Sequence, residues 1–396
     1  MRALTPDLRP PPPLLQGSNK ADKIEFTIER VHMEEDSGKL NHQGSEGRLK
    51  GSTHSLADYN RAGTPLLEVV SGPDMRCGRD AAEYAAELQR TVRFLGISDG
   101  NMAEGSLRCD VNVSVRKPGE PFGTKVEVKN LNSFSAMEKA VEYERARQIA
   151  LLEEGRGDEI VQETRLWEEG AQVTVSMRKK EGLADYRYFP EPDLPAVQLT
   201  DERLAHCEED MGELPWQRRE RYEALGLPMD DVLLLADAKA TGDYFDAVLA
   251  EGAEPKAAAN WIMGDIMGYL KAEKLTFSAL YDTLSPQRLA ELVKLIADGT
   301  VSGKIAKELL PELLTEGGSP AALVEERGLG MVSDEGAIEA MIDEIMAANP
   351  SQLEAYRSGK TKMQGFFMGQ VMKASGGKVD PALTNKLLAK KLKGDA

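Results

Sequence analysis

Glu68 stands inside an apolar run, GTPLLEVVS from Gly63 to Ser71, flanked by Leu66, Leu67, Val69 and Val70. A carboxylate on the buried face of such a strand is costly unless it is paired or holds a cation; on the exposed face of an edge strand it needs no explanation. A second acidic group, Glu34, Glu35 and Asp36, follows His32 some thirty residues upstream. One carboxylate from each of two strands is a common way to hold Mg²⁺, which prefers oxygen ligands and keeps water and phosphate in its other positions. His32 reads as a structural or solvent-facing histidine rather than a ligand. A third set lies on one face of Leu107 to Asn130: Arg108, Asp110, Asn112, Glu127 and Lys129. It mixes guanidinium, carboxylate, amide and ammonium with no apolar residue, which suits either a substrate surface or a solvated sheet face.

The elements that must position these groups follow from periodicity. From Leu107 to Arg116 apolar and polar residues alternate, Pro118 to Gly123 makes a turn, and Val126 and Val128 return inward, so the segment predicts a β-hairpin. Ile24, Phe26 and Ile28 begin a strand whose apolar phase then moves to Val31 and Met33. A bulge near Glu29 produces such a shift. Residues 37–60 read as a Gly, Ser, His and Asn loop. Arg79 to Leu95 predicts an amphipathic helix with Tyr84, Leu88, Val92 and Leu95 on its stripe and Gly96 as its stop. A second helix, capped by Asn132 or Ser133, runs to about Glu154. Gln162–Leu166 and Val173–Met177 read as strands, and DYRYFPEPDLP, Asp185 to Pro195, closes this region.

From about Leu214 helical periods replace strands. Trp261 to Leu270 reads as a mostly buried helix. Ser285 with Pro286 marks a helix start and Gly299 its end. Ser302, Gly303 and Lys304 read as a cap rather than an anion site. A linker at Glu326 to Gly330 precedes short helices around 338–348 and 361–374 and a last one from Pro381.

The 396 residues allow two or three domains at roughly 100–200 residues each. With 49 basic against 66 acidic residues, the net charge of −17 excludes a general polyanion binder, so any nucleic-acid surface must be local. Residues 357–396 supply one: Arg357 and eight lysines against Asp380 and Asp395 give +7, leaving −24 for the rest. Lys360, Lys362, Lys373, Lys378 and Lys386 are its candidate phosphate contacts; a lysine-rich soluble helix end is the alternative. Cysteines at 77, 109 and 207 form no metal-spaced pair, which suits a reducing cytoplasm. No apolar run is long enough to span a membrane. The proline-rich start, residues 1–20, is expected to be disordered. There is no phosphate-binding GxxxxGK[ST] loop, no dinucleotide-binding glycine fingerprint and no nucleophile elbow.

Several motifs occur together: HMEEDSGKL (32–40), DYNRAGTPLLEVVSGPDMR (58–76), EGSLRCDVNVSVR (104–116), KNLNSF (129–134), QETRLW (162–167), DYRYFPEPDLP (185–195), ANWIMGD (259–265), SGKIAKEL (302–309) and GFFMGQVMKASGGK (365–378). In this order they resemble the B subunit of the bacterial aspartyl/glutamyl-tRNA amidotransferase, the GatB family, from about Ile24 to the C-terminus. The resemblance implies an α+β fold: a β-rich cradle domain of antiparallel sheet with helices over 21–212, an all-α helical domain over 213–327, and a small all-α, YqeY-like tail domain over 328–396 that contacts tRNA. It implies ATP- and Mg²⁺-dependent activation of the side-chain carboxylate of Glu-tRNA(Gln) or Asp-tRNA(Asn). Ammonia from glutamine, released in the A subunit, then gives Gln-tRNA(Gln) or Asn-tRNA(Asn). The A and C subunits make the whole a heterotrimer, in the cytoplasm and without a membrane.

The first glutamate of HMEED and the glutamate of TPLLE correspond to Glu34 and Glu68 as catalytic Mg²⁺ ligands, and the polar hairpin face would line the cradle. The family's long start carries a GLEVHVQL-type strand, whose histidine is a third Mg²⁺ ligand, and commonly a cysteine zinc site. Residues 1–20 match neither, so a chain lacking that N-terminal segment and the zinc site is expected. The loop at 41–55 is longer than the family's usual link. Two readings follow: an ATP-dependent amidotransferase subunit, or a truncated, non-catalytic tRNA-binding scaffold.

Overall fold

A computed structural model describes residues 2–3, 25–44, 51–179, 192–193, 195, 198–331 and 334–393. The chain divides into two compact units, Met1–Leu214 and Pro215–Ala396. Strands occur only in the first among the described residues, and the second is helical, so the fold is α+β.

The first unit is built on a five-stranded sheet ordered β1 (Arg2–Ala3), β6 (Val111–Val113), β7 (Val126–Lys129), β8 (Glu163–Glu168) and β9 (Val173–Lys179). β6–β7 and β8–β9 pair antiparallel, whereas β1–β6 and β7–β8 pair parallel. The parallel step has a simple cause. β7 and β8 are joined by a helix, α2 (Phe134–Glu153), and a crossover helix returns the chain in the same direction. Val111, Val113, Val126, Val128 and Trp167 are buried, and all but Val126 belong to the core shared with Met137, Ala140 and Val141 of α2. Over Val111–Val113 and Val126–Lys129 the inward and outward faces are those the alternation predicts. The strand is shorter, because only residues 111–113 face β7 and a ladder is no longer than its neighbour; residues 107–110 lie outside it.

Two antiparallel ribbons precede this sheet in the chain. β2 (Ile28–Glu35) pairs with β5 (Pro65–Ser71), and β3 (Lys39–Gln43) with β4 (His54–Asp58). The register of β2 shifts between Ile28 and Arg30, where the phase change placed a bulge. The expected loop at 37–60 is corrected: its arms form the β3–β4 hairpin, in which five consecutive pairs from Lys39–Asp58 to Gln43–His54 satisfy the backbone. The disordered start is corrected at one point, since Arg2 and Ala3 bond the free edge of β6. The motif DYRYFPEPDLP lies for the most part outside the described residues.

Helix α1 (Gly78–Phe94) packs on α2 through Gly78, Ala81 and Ala85; of the predicted stripe Tyr84 packs half-buried against this core, whereas Leu88, Val92 and Leu95 are half-buried and do not join it. Small side chains let the two backbones come close. A Cβ at Gly78 would strike the Glu138 carbonyl, and the Gly78 amide donates to the Glu142 carboxylate at 2.7 Å. Ser133 caps α2 by accepting from the Ala136 amide at 3.0 Å.

The first unit ends with α3 (Asp201–Asp210); in the second, helices α4 (Pro215–Ala224), α5 (Met229–Leu235), α6 (Lys239–Ala250) and those that follow as far as α11 (Pro320–Glu326) enclose one core around Phe245, Ile262, Leu289 and Leu309. α12 (Glu335–Ala348), α13 (Pro350–Arg357), α14 (Met363–Ala374) and α15 (Pro381–Lys393) enclose another around Ile338, Phe367, Val371 and Leu388. Between α7 (Pro255–Trp261) and α8 (Met267–Glu273) the helix widens to a π-turn over Ile262–Ile266. Trp261, Ile262, Ile266 and Leu270 are buried there, while Gly264 and Gly268 face solvent, so this helix is amphipathic and not buried all round. Ser302 caps α10 (Gly303–Thr315) through the Ile305 amide at 3.3 Å, whereas Ser285 makes no side-chain cap at α9 (Pro286–Ala297). No helix among the described residues is long and apolar enough to cross a membrane.

The close approach at Gly78 yields a direct test. Gly78→Ala forces two helix backbones apart, and overpacking of this kind costs about 1–3 kcal/mol. Thermal or urea unfolding should register that loss; unchanged stability would show that the α1–α2 packing can widen freely.

Candidate functional site

Strands β2 and β5 bring the first two acidic groups together. Cross-strand partners in an antiparallel ladder point to the same face, and His32 lies opposite Glu68. Its Nδ1 stands 3.9 Å from a Glu68 carboxylate oxygen, and both side chains are well exposed to solvent. Glu34, two residues along β2, shares that face; it opposes Leu66 and is the diagonal neighbour of Glu68, about 7–8 Å away in a regular ladder. Residue alternation alone missed the place of His32 beside Glu68, although its spacing from Glu34 carried the signal. The opposite face carries Val31, Met33, Leu67 and Val69, with Met33 87% exposed. Glu68 therefore sits on an exposed face that mixes Arg30, His32 and Glu34 with Leu66 and Val70, and not in an apolar core. Among the described residues no three His, Cys, Asp or Glu side chains converge as a ready-made metal cage.

The ends of the ribbon are tied down by specific bonds. The Asp36 amide donates to the Thr64 carbonyl and the Gly63 amide to the Asp36 carbonyl, each at 2.8 Å. At the other end the Thr27 amide donates to the Asp74 carboxylate at 2.7 Å, and the Gly72 amide to the Thr27 carbonyl at 2.7 Å. Hydrogen bonds from the Thr27 amide and hydroxyl hold the Asp74 carboxyl below its ordinary range.

Beyond Glu34 the chain opens a cavity of about 430 Å³, lined by Asp36, Gly38, Lys39, Asp58, Arg61 and Arg108 among others. Arg61 is fixed. Its Nε lies 3.0 Å from the Asp36 carboxylate, and its two terminal nitrogens donate to the Glu104 and Gly105 carbonyls at 3.3 Å.

The structure divides the five polar residues of the hairpin face. Lys129 pairs with Asp110 and lies 3.7 Å from Glu127. Glu127 accepts from the Thr164 hydroxyl at 2.7 Å, and Asn112 is its cross-strand partner. Arg108 is not part of this group: it leaves the sheet and faces the cavity instead.

Under the sheet lies a polar network that periodicity did not pick out. Glu144 of α2 is 0% exposed. It accepts from Arg147 at 2.6 and 2.9 Å, from Gln148 at 2.9 Å and from Thr174 at 2.9 Å, with Arg165 at 3.6 Å. Arg165 also pairs with buried Glu163 at 2.6 Å. Burial pushes the Glu163 carboxyl up, but bonds from Ser176 and Arg165 more than offset it, so it stays below its ordinary value. The i, i+3, i+4 spacing of Glu144, Arg147 and Gln148 was the available signal.

In the second unit Lys360, Lys362, Lys373 and Lys386 are exposed and their side chains make no hydrogen bond or ion pair among the described residues. Lys378 is committed, donating to the Gly328 carbonyl at 2.7 Å. Lys391 is too, and its bonds to Asp343 and Glu339 hold its ammonium above its ordinary range. A second cavity of about 710 Å³ lies between the π-turn and α10, where Lys307 pairs with Asp265 at 3.2 Å.

Comparison with known proteins gives two family matches. A model described as the GatB/GatE catalytic domain matches residues 14–205, and one described as a GatB domain matches residues 243–392. The chain is 62% identical over 370 residues to a Physcomitrium patens protein named as the chloroplastic/mitochondrial B subunit of glutamyl-tRNA(Gln) amidotransferase, covering 93% of this chain and 65% of that protein. It is 58% identical over 381 residues to the B subunit of the aspartyl/glutamyl-tRNA(Asn/Gln) amidotransferase of Thermosynechococcus vestitus, covering 96% of this chain and 75% of that protein. With the corresponding protein of Synechococcus elongatus the identity is 60% over 369 residues, 93% of this chain and 74% of that one. The chain thus spans slightly under two thirds to about three quarters of these relatives.

The buried network makes stability depend on pH in a definite direction. Because the Glu163 pKa is lower folded than unfolded, its contribution is full above its unfolded value of about 4.3 and is lost as the pH falls through that region. Glu163→Gln should cost about 3 kcal/mol at neutral pH, as breaking a buried pair does. It should also flatten the decline in melting temperature as the solution is acidified. Parallel declines in variant and parent would remove Glu163 from the acid response.

Proposed function

Because the chain belongs to the GatB family, we propose that it is the B subunit of a glutamine-dependent tRNA amidotransferase. In this reading it activates the side-chain carboxylate of Glu-tRNA(Gln) or Asp-tRNA(Asn) with ATP, and ammonia delivered from the A subunit gives Gln-tRNA(Gln) or Asn-tRNA(Asn). A third, C-type subunit makes the assembly a heterotrimer. The working compartment is the cytoplasm, where the free thiols Cys77, Cys109 and Cys207 stay reduced.

The observation that carries the reading is the shared face of Glu34, His32 and Glu68 across the β2–β5 ladder. Two carboxylates with free oxygen lone pairs suit Mg²⁺, which accepts one or two protein carboxylates and fills its remaining positions with water and phosphate. Glu34 and Glu68 would hold the ion. When bound it would neutralise charge on the nucleotide phosphates. His32 faces Glu68 across the ladder, and the bonds at Asp36 and Thr27 hold the two strands in register. The open hairpin face, with Asp110, Asn112, Glu127 and Lys129, forms part of the cradle wall, and Arg108 stands at its edge. Domain limits at 213 and 328 separate cradle, helical domain and tail. Lys360, Lys362, Lys373 and Lys386 contact tRNA phosphates, with Lys378 beside them serving the local backbone.

Two measurements test this. With the A and C subunits, glutamine and Glu-tRNA(Gln), the parent chain should cleave ATP in a tRNA-dependent manner, and Glu34→Gln or Glu68→Gln should lower that rate at least about a hundredfold with tRNA binding unchanged. Cleavage at the parent rate by both variants would remove the carboxylates from the reaction. Separately, replacing Lys360 and Lys362 with Gln should weaken tRNA binding and reduce its salt dependence by about one unit for each phosphate interaction removed. An unchanged slope would make these lysines solubilising only.

A further inference from the structure

The cavity beyond Glu34 has an unequal distribution of committed and uncommitted charge. Both of its carboxylates are used within the chain: Asp36 by Arg61, and Asp58 by Asn60, whose amide and side chain donate to it at 2.9 and 2.6 Å. Of its three cations only Arg61 is committed. Arg108 and Lys39 line the same space, and their side chains make no hydrogen bond or ion pair among the described residues. An exposed guanidinium without a protein partner, beside a second held rigidly by three acceptors, is poised for an anion.

The backbone accommodates this arrangement at a cost. Gly105 has φ +76°, and a Cβ there would lie 3.3 Å from both the Arg108 Nε and an Arg61 terminal nitrogen. A side chain would wedge between the two guanidiniums, so the glycine is what lets them approach one another. Gly38, on the cavity wall, is constrained in the same way, since its Cβ would lie 2.8 Å from the Tyr59 ring. Asp36, which holds Arg61, is two residues beyond Glu34, so the cavity follows directly on the carboxylate face.

Resting on the amidotransferase reading, we propose that Arg108 is an anion-binding residue of the activation step, with Lys39 beside it and Arg61 as the positioning residue behind it. Its planar fork takes two oxygens of one anionic group, either a phosphate of the nucleotide or the side-chain carboxylate of the tRNA-bound amino acid. The other four polar residues of the hairpin face are excluded from that role because they bond one another or lie across the ladder from those bonds.

The full chain is titrated calorimetrically at low ionic strength with inorganic pyrophosphate and, separately, with glutarate as a stand-in for the glutamyl carboxylate. Arg108→Ala should weaken one of these by about tenfold to a hundredfold, the range of a charged hydrogen-bonded pair, and Arg108→Lys should recover only part of it. Response to pyrophosphate identifies the phosphate, and response to glutarate the carboxylate. Arg116→Ala, which removes the same charge outside the cavity, should bind as the parent does. Binding of neither probe by the parent, equal binding by parent and Arg108 variants, or an equal loss in Arg116→Ala overturns the proposal. The titration involves neither tRNA nor the other members of the heterotrimer, so its failure is distinct from failure of the amidotransferase reading. In the assembled enzyme the same variants should raise the KM for ATP or for aminoacyl-tRNA, whichever source the titration indicates, with no change in melting temperature.

Discussion

A carboxylate with no access to water lies at the centre of the first unit. Leaving the Glu144 oxygens unbonded there would be costly, because a buried polar group without partners is strongly destabilising. Its partners come from three places: Arg147 and Gln148 on its own helix, Thr174 on β9, and Arg165 on β8. Gln148 also reaches the Val113 carbonyl of β6 at 3.2 Å. One requirement for satisfaction therefore fixes α2 over three strands at once. Hydrophobic burial presses helix and sheet together without direction; this network sets where along the sheet the helix sits.

The position of α2 decides the use of the other face. With Val111, Val113, Val128 and Trp167 committed to the core, alternation sends Asn112, Glu127, Lys129 and the fully buried Thr164 to the other face. Most of these groups bond one another, so this face is largely self-satisfied. Arg108 escapes because it precedes the strand: the turn at 101–107, closed by bonds from Ser106 and Leu107 to the Asn101 carbonyl, redirects it. One residue type at one end of a regular pattern thus acquires surroundings quite unlike those of its neighbours.

The parts of this fold that were legible in the sequence are those set by local rules. Ser133, Gly96 and Ser302 mark helix ends because capping is a short-range hydrogen-bond problem, and the phase shift around Glu29 reports a bulge because the side-chain period of a strand is two. What was not legible depends on distant partners. KLNHQ and HSLAD carry weak strand signals singly, and only their mutual pairing makes them a hairpin. The working face of α1 is its alanines, since close approach to α2 rewards small residues over the larger apolar stripe. His32 read as a structural or solvent-facing histidine, and only the register places Glu68 across from it. The π-turn at Ile262–Ile266 has no local signature beyond the glycines near it.

The candidate metal face lies on two sparsely buried strands, and this raises the question of what gives it a defined geometry. A two-stranded ribbon is marginal by itself, and neither face of β2–β5 is covered enough among the described residues to fix it by packing. Its definition comes instead from its two ends. At one end Thr27, Gly72 and Asp74 close a bonded ring; at the other Asp36, Gly63 and Thr64 close a second, and Arg61 carries Asp36 onward to the backbone at 104–105. Between two such clasps the strands cannot slip by one residue, and a slip is what would send Glu34 and Glu68 to the apolar side. Side chains between the clasps keep their rotamer freedom, which suits ligands that complete their geometry when a phosphate-bearing partner arrives. Constraint at the ends with freedom in the middle lets an exposed ribbon carry a site that its own burial could not hold.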